Sequence, residues 1–322
     1  MNKLRKLIVS FACITLLVAV SGCSNLIEDL KPKVIDVKQF SASELGLTSI
    51  SKATSKEDLI VDPSLLKGKD ATEDDVVMLK NWGYGKTTVV ITGVGPNGEK
   101  EETKVDVTVQ KSGAVKYHIV KHGGEVEDIT WKKNGSTETE TSAVKMTDGT
   151  EVNSTKVIKT SKKTVKITQK SVVKNTDGTV ENYDIDSTEN SDGSYKVVNH
   201  IVIVDENENE ISNETDTVEL TSDGEYTEKS EEVTKDSKSR KVVKTVTKVI
   251  HKDKSETYEQ EETVYDSENK EIKKTINSVT KDPEDKVLDS RVYQLNEDGS
   301  SSDYHYVINN NDQGKNKNIM II

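Results

Sequence analysis

The first residues whose types and spacing could do chemistry lie at the amino terminus, where a cysteine follows a cationic stretch and an apolar stretch. Residues 7–20 are mainly apolar, and residues 20–23 read Val-Ser-Gly-Cys. The cationic residues before this run are Lys3, Arg5 and Lys6. A charged region, an apolar region and then small residues are the order of a secretory signal. The sequence therefore predicts an exported protein whose signal ends near Gly22.

Residues 20–23 resemble the lipobox of bacterial lipoproteins, with Val20 where leucine is usual. The resemblance implies cleavage between Gly22 and Cys23 and a thioether-linked diacylglycerol on Cys23. It also implies a membrane anchor, because several acyl chains bind stably where one binds marginally. An ordinary secretory signal with a chance cysteine and a short transmembrane anchor are the alternatives. The apolar run is shorter than the roughly 20 residues that a spanning helix needs.

Composition argues against a single large core. The chain has 322 residues, of which 32% are hydrophobic, 4% aromatic and 32% charged, whereas typical globular chains are about 45–50% apolar. The net charge of -12 leaves no basic excess to neutralise phosphates, so nucleic acid is not expected as a partner. Cys13 lies in the signal and Cys23 at its end. The mature body would therefore have no thiol for a disulfide, a metal site or a nucleophile.

Turn signals recur at intervals of about 15 residues from residue 113 onward, a period typical of repeat architectures. They lie at residues 134–135, 148–149, 161–162, 177–178, 192–193, 206–207, 223–224, 236–237, 252–253, 267–268, 283–284 and 298–299. Between them lie runs rich in Thr, Val, Ile, Lys and Glu, which favour strands. We predict an all-β fold with a long antiparallel β-meander, an elongated, twisted and partly single-layer sheet. Residues 197–204 are its most apolar strand and would be buried on both faces.

The predicted organisation has five parts. These are the signal peptide at 1–22, a lipidated tether at 23–57, a small β-rich domain at 58–112, the repetitive meander at 113–309 and a polar tail at 310–322. Within the tether, residues 41–56 are rich in Ser, Thr and Lys and predict a loop.

The small domain is predicted from one helical and two strand patterns. Residues 72–81 have the capping signal of a helix, and residues 87–92 predict a buried strand. Residues 103–109 alternate, with Val105, Val107 and Val109 on one face. The hairpin resembles the closing strands of a bacterial immunoglobulin-like module. With the lipobox and the Asp-Gly turns, the whole pattern resembles spirochaetal lipoproteins of the outer surface protein A type, which implies a freestanding meander more than a function.

Other motifs predict structure rather than catalysis. Residues 93–98 match G-x-G-x-x-G, but a charged strand follows where a dinucleotide site needs a helix, so we predict a hairpin turn. Residues 205–210 alternate oxygen ligands but have Glu210 where an EF-hand loop has glycine. They predict a solvated acidic turn, with a weak cation site as the alternative. On a strand, His118 and His122 would lie about 13 Å apart, too far to share a metal.

One aromatic pair is the candidate ligand site. Trp82 and Tyr84, separated by Gly83, could form a ligand-stacking patch, and the alternative is that Trp82 anchors the core of the small domain. The sequence contains no G-x-S-x-G, no H-E-x-x-H and no phosphate-binding loop, so neither an enzyme nor a cofactor is expected.

The functional expectation is a non-enzymatic, lipid-anchored protein of the cell envelope or cell surface that presents a β-sheet body for binding or display. The alternative is a periplasmic lipoprotein that scaffolds or carries lipid, glycan or an envelope assembly. The expected partners are the membrane, through the acyl anchor on Cys23, and a protein or glycan ligand. The body would lie outside the cytoplasm, on the cell membrane or the outer membrane.

Overall fold

The computed structural model describes residues 38–55, 76–78 and 85–307. These residues contain nineteen strands and one short 3-10 helix, Ser43–Leu45. They divide into two compact units. Unit 1 consists of the described residues within 38–160 and of residues 169–177, and unit 2 consists of residues 161–168 and 178–307.

The strands of unit 1 are β1 Gln39–Ser41, β2 Ser49–Ser55, β3 Val76–Met78, β4 Gly85–Val94, β5 Lys100–Val109, β6 Val115–Val120, β7 Val126–Asn134, β8 Thr137–Lys145 and β9 Glu151–Thr160. β10, Thr164–Lys174, contributes residues to both units. The strands of unit 2 are β11 Val180–Asn190, β12 Tyr195–Val204, β13 Glu210–Leu220, β14 Tyr226–Lys235, β15 Lys241–Ile250, β16 Glu256–Tyr265, β17 Glu271–Lys281, β18 Val287–Leu295 and β19 Ser301–Val307.

Unit 1 is an antiparallel sheet in which nearly every strand pairs with the next along the chain. β2 pairs with β4, and β4 to β9 follow as a meander. In β5 the predicted alternation is confirmed, because Val105, Val107 and Val109 are buried on one face. β5 pairs with β6 from Lys104↔Val120 to Val109↔Val115, so the pairing continues across residue 112.

The core of unit 1 lies between this face and the segment that precedes β2. Phe40, Leu45 and Leu47 are at most 3% exposed and belong to one cluster with buried side chains of β4 to β7. The Phe40 and Tyr117 rings meet edge to face, with centroids 4.9 Å apart. Burying a side chain of this size stabilises the fold by about 1.5–3 kcal/mol. The segment therefore covers the sheet and completes the core.

Two local predictions in this region are wrong. Residues 41–56 were expected to form a loop, but they contain the 3-10 helix and β2. Residues 76–78, expected within a helix, form β3, which pairs with β1 through Phe40↔Val77. Pairing with a distant strand overrides the weak local helix signal, because consecutive β-branched valines favour a strand.

Unit 2 is also an antiparallel meander, in which β11 to β19 pair in sequence order. The predicted all-β antiparallel meander is therefore confirmed. All the predicted turn positions except Asn134, the last residue of β7, lie in the loops between strands. Their even spacing has a simple cause, since strands of nearly equal length are joined by loops of nearly equal length.

Side chains in unit 2 are much less buried than those of unit 1. β17, β18 and β19 contain only half-buried and exposed residues on both faces. The expectation that residues 197–204 are buried on both faces is wrong, because only Asn199 and Ile201, which share one face, are buried. A single layer has no second sheet to cover the opposite face, so apolar residues there stay partly accessible.

Most hairpins have five residues between the two strands, and the fourth of them has positive φ. Glycine holds this position in several loops, as the Asp-Gly signals predict. In five others the residue is Glu208, Ser239, Lys254, Asn269 or Asp285, with φ between 60° and 71°. A non-glycine residue in this left-handed region costs roughly 1–2 kcal/mol.

Aspartates support the loops that lack glycine. At the first loop position of four of them, an aspartate Oδ1 accepts N–H groups two and four residues later. These aspartates are Asp205, Asp236, Asp266 and Asp282. The hydrogen bonds hold the loop closed and partly offset the strain.

Candidate functional site

The residues that the sequence singled out for lipidation and ligand binding lie outside the described residues. These are Gly22, Cys23, Trp82 and Tyr84. The candidate sites that follow are built from the part of the chain that the structure describes.

The glycine-rich stretch at residues 93–98 is a hairpin turn, as predicted, because it joins β4 directly to β5. A Cβ on Gly93 would run into the backbone oxygen of Ser49 in β2, and one on Gly95 would run into the Glu101 carboxylate. Gly93 is therefore needed for the close approach of the backbone of β2, whereas a side chain at residue 95 would require Glu101 to move. No helix follows that could hold a phosphate.

The histidines do not assemble a metal site. His118 Nδ1 lies 2.8 Å from Asp128 Oδ1, whereas His122 Nε2 lies 4.0 Å from Glu101 Oε1, so the two have different partners. His200 is hydrogen-bonded to Asn213 at 2.8 Å. Among the described residues, no group of three or more His, Cys, Asp and Glu side chains is arranged to hold a metal ion.

The acidic loop at residues 205–210 is closed on itself. Asp205 Oδ1 accepts the backbone N–H groups of Asn207 and Asn209 at 2.8 and 2.9 Å. The side-chain and backbone hydrogen bonds from Asn209 lower the pKa of Asp205. The carboxylate is thus engaged by donors from its own loop, which fits the predicted solvated turn.

The most perturbed titratable groups of unit 1 form a buried cluster around Lys38. Lys38 Nζ lies 2.9 Å from Glu44 Oε1 and 2.9 Å from Glu140 Oε2. Its side chain is 10% exposed, and its backbone N–H donates to the Tyr117 hydroxyl at 2.8 Å. Lys156 stands directly opposite Glu140 in the β8–β9 register and is also buried. The cluster has equal numbers of cationic and anionic groups.

The local sequence shapes one side of this cluster. Ser41 donates its backbone N–H and its hydroxyl to Glu44 Oε2 at 2.8 and 3.1 Å, while Glu44 N–H donates to Ser41 Oγ at 3.3 Å. This is the reciprocal bonding of a capping box, and Ser-x-x-Glu is its sequence signal. The signal at residues 41–44 could have revealed the short helix, but it could not reveal that Glu140 lies beside it.

The pKa values of this cluster reflect the opposing effects of burial and of the neighbouring charges. Burial alone would lower the pKa of Lys38, but the carboxylates of Glu140 and Glu44 outweigh it and raise the pKa above its ordinary value. For Glu44, burial opposes the attraction of Lys38 and the Ser41 hydrogen bonds, and the net effect is a lowered pKa. Burial lowers the pKa of Lys156, with Glu140 opposing, and burial raises that of Tyr117.

A second buried cation lies at the β6–β7 hairpin. Lys121 Nζ lies 2.6 Å from Glu125 Oε1 and 3.2 Å from Glu127 Oε2. Burial would lower its pKa, but the two glutamates together raise it. Every ionised group named in these two clusters lies among opposite charges. The arrangement can therefore fix strands and the covering segment in register.

Unit 2 contains an accessible surface of different character on one face of β16 to β19. Residues paired across strands, or two apart on a strand, share a face. By the registers of these strands, one face carries what we call the uncharged patch. Its members are Tyr258, Gln260, Thr275, Asn277, Val279, Ser290, Val292, Gln294, Ser302, Tyr304 and Tyr306. Val292 and Tyr304, which are cross-strand neighbours, are 44% and 57% exposed.

The opposite face of the same strands is charged. Arg291 pairs with Asp303, with Nη2 and Oδ2 2.7 Å apart. Further along this face, Lys274 lies 2.8 Å from Glu261, and His305 Nε2 lies 2.9 Å from Asp289 Oδ2. The same four strands thus present ion pairs on one side and amide, hydroxyl, valine and tyrosine side chains on the other.

A shallow pocket of about 190 Å³ opens at the margin of the uncharged patch between Glu256, Tyr258, Val279 and Lys281. Tyr258 donates a long hydrogen bond of 3.4 Å to Gln260 within the patch. This geometry offers a stacking surface with hydrogen-bonding groups around it.

Among the described residues, no helix has the length and apolar character of a membrane span. Comparison of the chain with protein-family models, with curated proteins and with solved structures finds no match.

Proposed function

We propose that the chain is a non-enzymatic lipoprotein of the cell envelope, held in the membrane by acyl chains on Cys23 and presenting its β-sheet body for binding or display. The observation that carries the proposal is the openness of unit 2, where β17 to β19 leave side chains of both faces accessible. A surface of this kind suits contact with an external partner, because its binding groups need no opening of a core.

The arrangement of the buried titratable groups also supports a binding role. The Lys38 and Lys121 clusters consist of mutually paired charges, which stabilise structure, and the pocket beside Tyr258 is shallow. Catalysis instead requires a concave site in which polar groups converge on a substrate.

Lipidation is tested by feeding cells an alkyne-labelled fatty acid and comparing the chain with a Cys23→Ser variant. The proposal expects label on the wild-type chain and none on the variant, which should leave the membrane fraction. Equal labelling, or equal membrane retention without label, would contradict an anchor on Cys23.

Display is tested by treating intact cells with trypsin and following unit 2 with an antibody. Exposed lysines such as Lys238 and Lys252 make the body a substrate if it faces outward. Loss of unit 2 from intact cells is the expected result. Protection until the envelope is broken would instead favour the periplasmic scaffold or carrier.

A further inference from the structure

We propose that the uncharged patch of β16 to β19 is a binding site for a neutral polysaccharide, with Tyr304, Tyr306 and Tyr258 as its stacking residues. This inference rests on the proposed function, in that the body is taken to bind an external ligand. It adds the place of binding and the chemical class of the ligand.

The charge distribution is the first argument. Charged residues make up 32% of the chain, so a surface of this extent would ordinarily include several. The patch has none, and Glu262, at its corner, is engaged by Lys244 at 4.0 Å. Lys248 and Glu256 pair at 3.2 Å at another margin. On the same face of β17, Lys281 pairs with Asp285 at 2.7 Å, and Lys273 lies beyond Thr275. An uncharged surface whose bounding charges are mostly paired with one another complements a neutral ligand, since a charged ligand would lose hydration and gain little counter-charge.

The side-chain chemistry is the second argument. Sugar rings present polarised C–H bonds on their faces and hydroxyl groups at their edges. Tyrosine rings have electron-rich faces that attract such C–H bonds, and amide side chains both donate and accept hydrogen bonds with hydroxyl groups. Tyr304 and Tyr306 lie side by side on β19, and Gln260 and Asn277 lie opposite each other on β16 and β17. The patch thus offers both kinds of contact.

The size of the patch is the third argument. Four strands spaced about 4.8 Å apart span about 14 Å, and two steps of two residues along a strand span a similar length. Adding half a spacing on each side makes the patch about 19 Å by 20 Å, so it covers about 400 Å², about half of the roughly 800 Å² per partner of a stable protein interface. A second copy of the chain would need about twice this surface, whereas a few sugar rings fit. Its exposed position on the sheet suits the side of a long chain.

The test is affinity electrophoresis of the full-length chain in a polyoxyethylene detergent, which contains no sugar. Native gels would contain barley β-glucan, yeast mannan or polygalacturonate, the last as a charged control. The result expected is retardation by at least one neutral glycan and none by polygalacturonate. Retardation by no neutral glycan, or by polygalacturonate alone, would overturn the proposal.

Matched variants localise the site. Tyr304→Ala should weaken binding at least about tenfold, while Tyr293→Ala, on the charged face of β18, should leave it unchanged. Val292→Lys should abolish binding by placing a charge in the patch, whereas Thr280→Lys, on the charged face opposite Asp289, should not. Far-ultraviolet circular dichroism would verify that each variant is folded. Equal effects on the two faces would refute the assignment.

Sedimentation velocity distinguishes glycan binding from self-association. If the wild-type chain is a dimer and Tyr304→Ala is a monomer, the patch serves self-association and the glycan proposal is overturned. A wild-type monomer that binds glycan would support the proposal. The tests of the proposed function remain distinct. If trypsin cleaves the body on intact cells but no glycan binds, only this inference is overturned. If glycan binds but the body is protected from trypsin on intact cells, only surface display is overturned.

Discussion

The buried cation of unit 1 makes a quantitative prediction. Lys38→Met keeps most of the apolar stem but removes the charge that Glu44 and Glu140 share at 2.9 Å each. The two carboxylates, 17% and 18% exposed, would then lose that shared partner. Because Glu44 belongs to the covering segment and Glu140 to the sheet, their repulsion would push the segment away from the core.

The magnitude follows from burial and from one compensating group. Removing one partner of a buried pair usually costs about 3–5 kcal/mol. Lys156 stands opposite Glu140 and can take over part of its neutralisation, so we expect the lower end, about 3 kcal/mol. An exposed pair is worth at most about 1 kcal/mol. Lys133→Met is therefore the matched control, because Lys133 pairs with Glu138 at 3.1 Å in a more accessible setting of the same unit.

Urea unfolding followed by tryptophan fluorescence provides the assay. Trp131 is 5% exposed and is the register partner of Glu140, so it reports on unit 1 when Trp82 is replaced by phenylalanine. A loss of about 3 kcal/mol lowers the midpoint by at least about 1 M urea. In a double-mutant cycle of Lys38→Met and Glu140→Gln, the coupling free energy between the two side chains should exceed about 1 kcal/mol.

The pH dependence gives an independent check with a definite sign. The folded-state pKa of Glu44 is lowered, so its contribution to stability is present above the unfolded pKa of about 4.3 and is lost as the pH falls through the folded value. The difference in the free energy of unfolding between wild type and Lys38→Met should therefore be largest at pH 7 and become smaller in acid. If Lys38→Met lowers the free energy of unfolding no more than Lys133→Met at pH 7, the ion pairs do not hold the covering segment.

Three further predictions concern the hairpins and the sheet. Lys254→Gly should raise the free energy of unfolding by about 1 kcal/mol by relieving its positive φ of 71°, and Gly224→Ala should lower it; unchanged urea midpoints would contradict the strain. The hydrogen bonds from Arg240 lower the pKa of Asp236 to about 2. Asp236 should therefore stabilise the fold above pH 4 and lose this effect towards pH 2. The free energy of unfolding of Asp236→Asn should equal that of the wild type only in acid. Gly93→Ala should disrupt β2, since its Cβ meets the Ser49 oxygen; native-like thermal unfolding would argue against that close approach.

Much of the fold could be predicted from local sequence because it is local in origin. Asp-Gly and Asn-Gly supply positive φ at the hairpins, and alternation assigns Val105, Val107 and Val109 to one face. A meander pairs each strand with its neighbour in the chain, so the turns and the alternation together determine its topology. Prediction failed at residues 76–78 and 41–56, where strands form only because a distant partner supplies their hydrogen bonds.

The candidate sites required the tertiary structure. Lys38 and Glu140 are about a hundred residues apart in the chain, and a lysine in a Lys-rich sequence carries no sign that it will be buried between two carboxylates. The uncharged patch was equally hidden, because each strand contributes only two or three of its residues and the same strands also carry charges. Only the registers of four strands bring the uncharged residues to one face and the ion pairs to the other. The sequence alone determined the strands of the meander, their turns and their order, because these depend on neighbours along the chain. The tertiary structure decided burial, the pairing of charges and the strands at residues 76–78 and 49–55, because these depend on which segments meet across space.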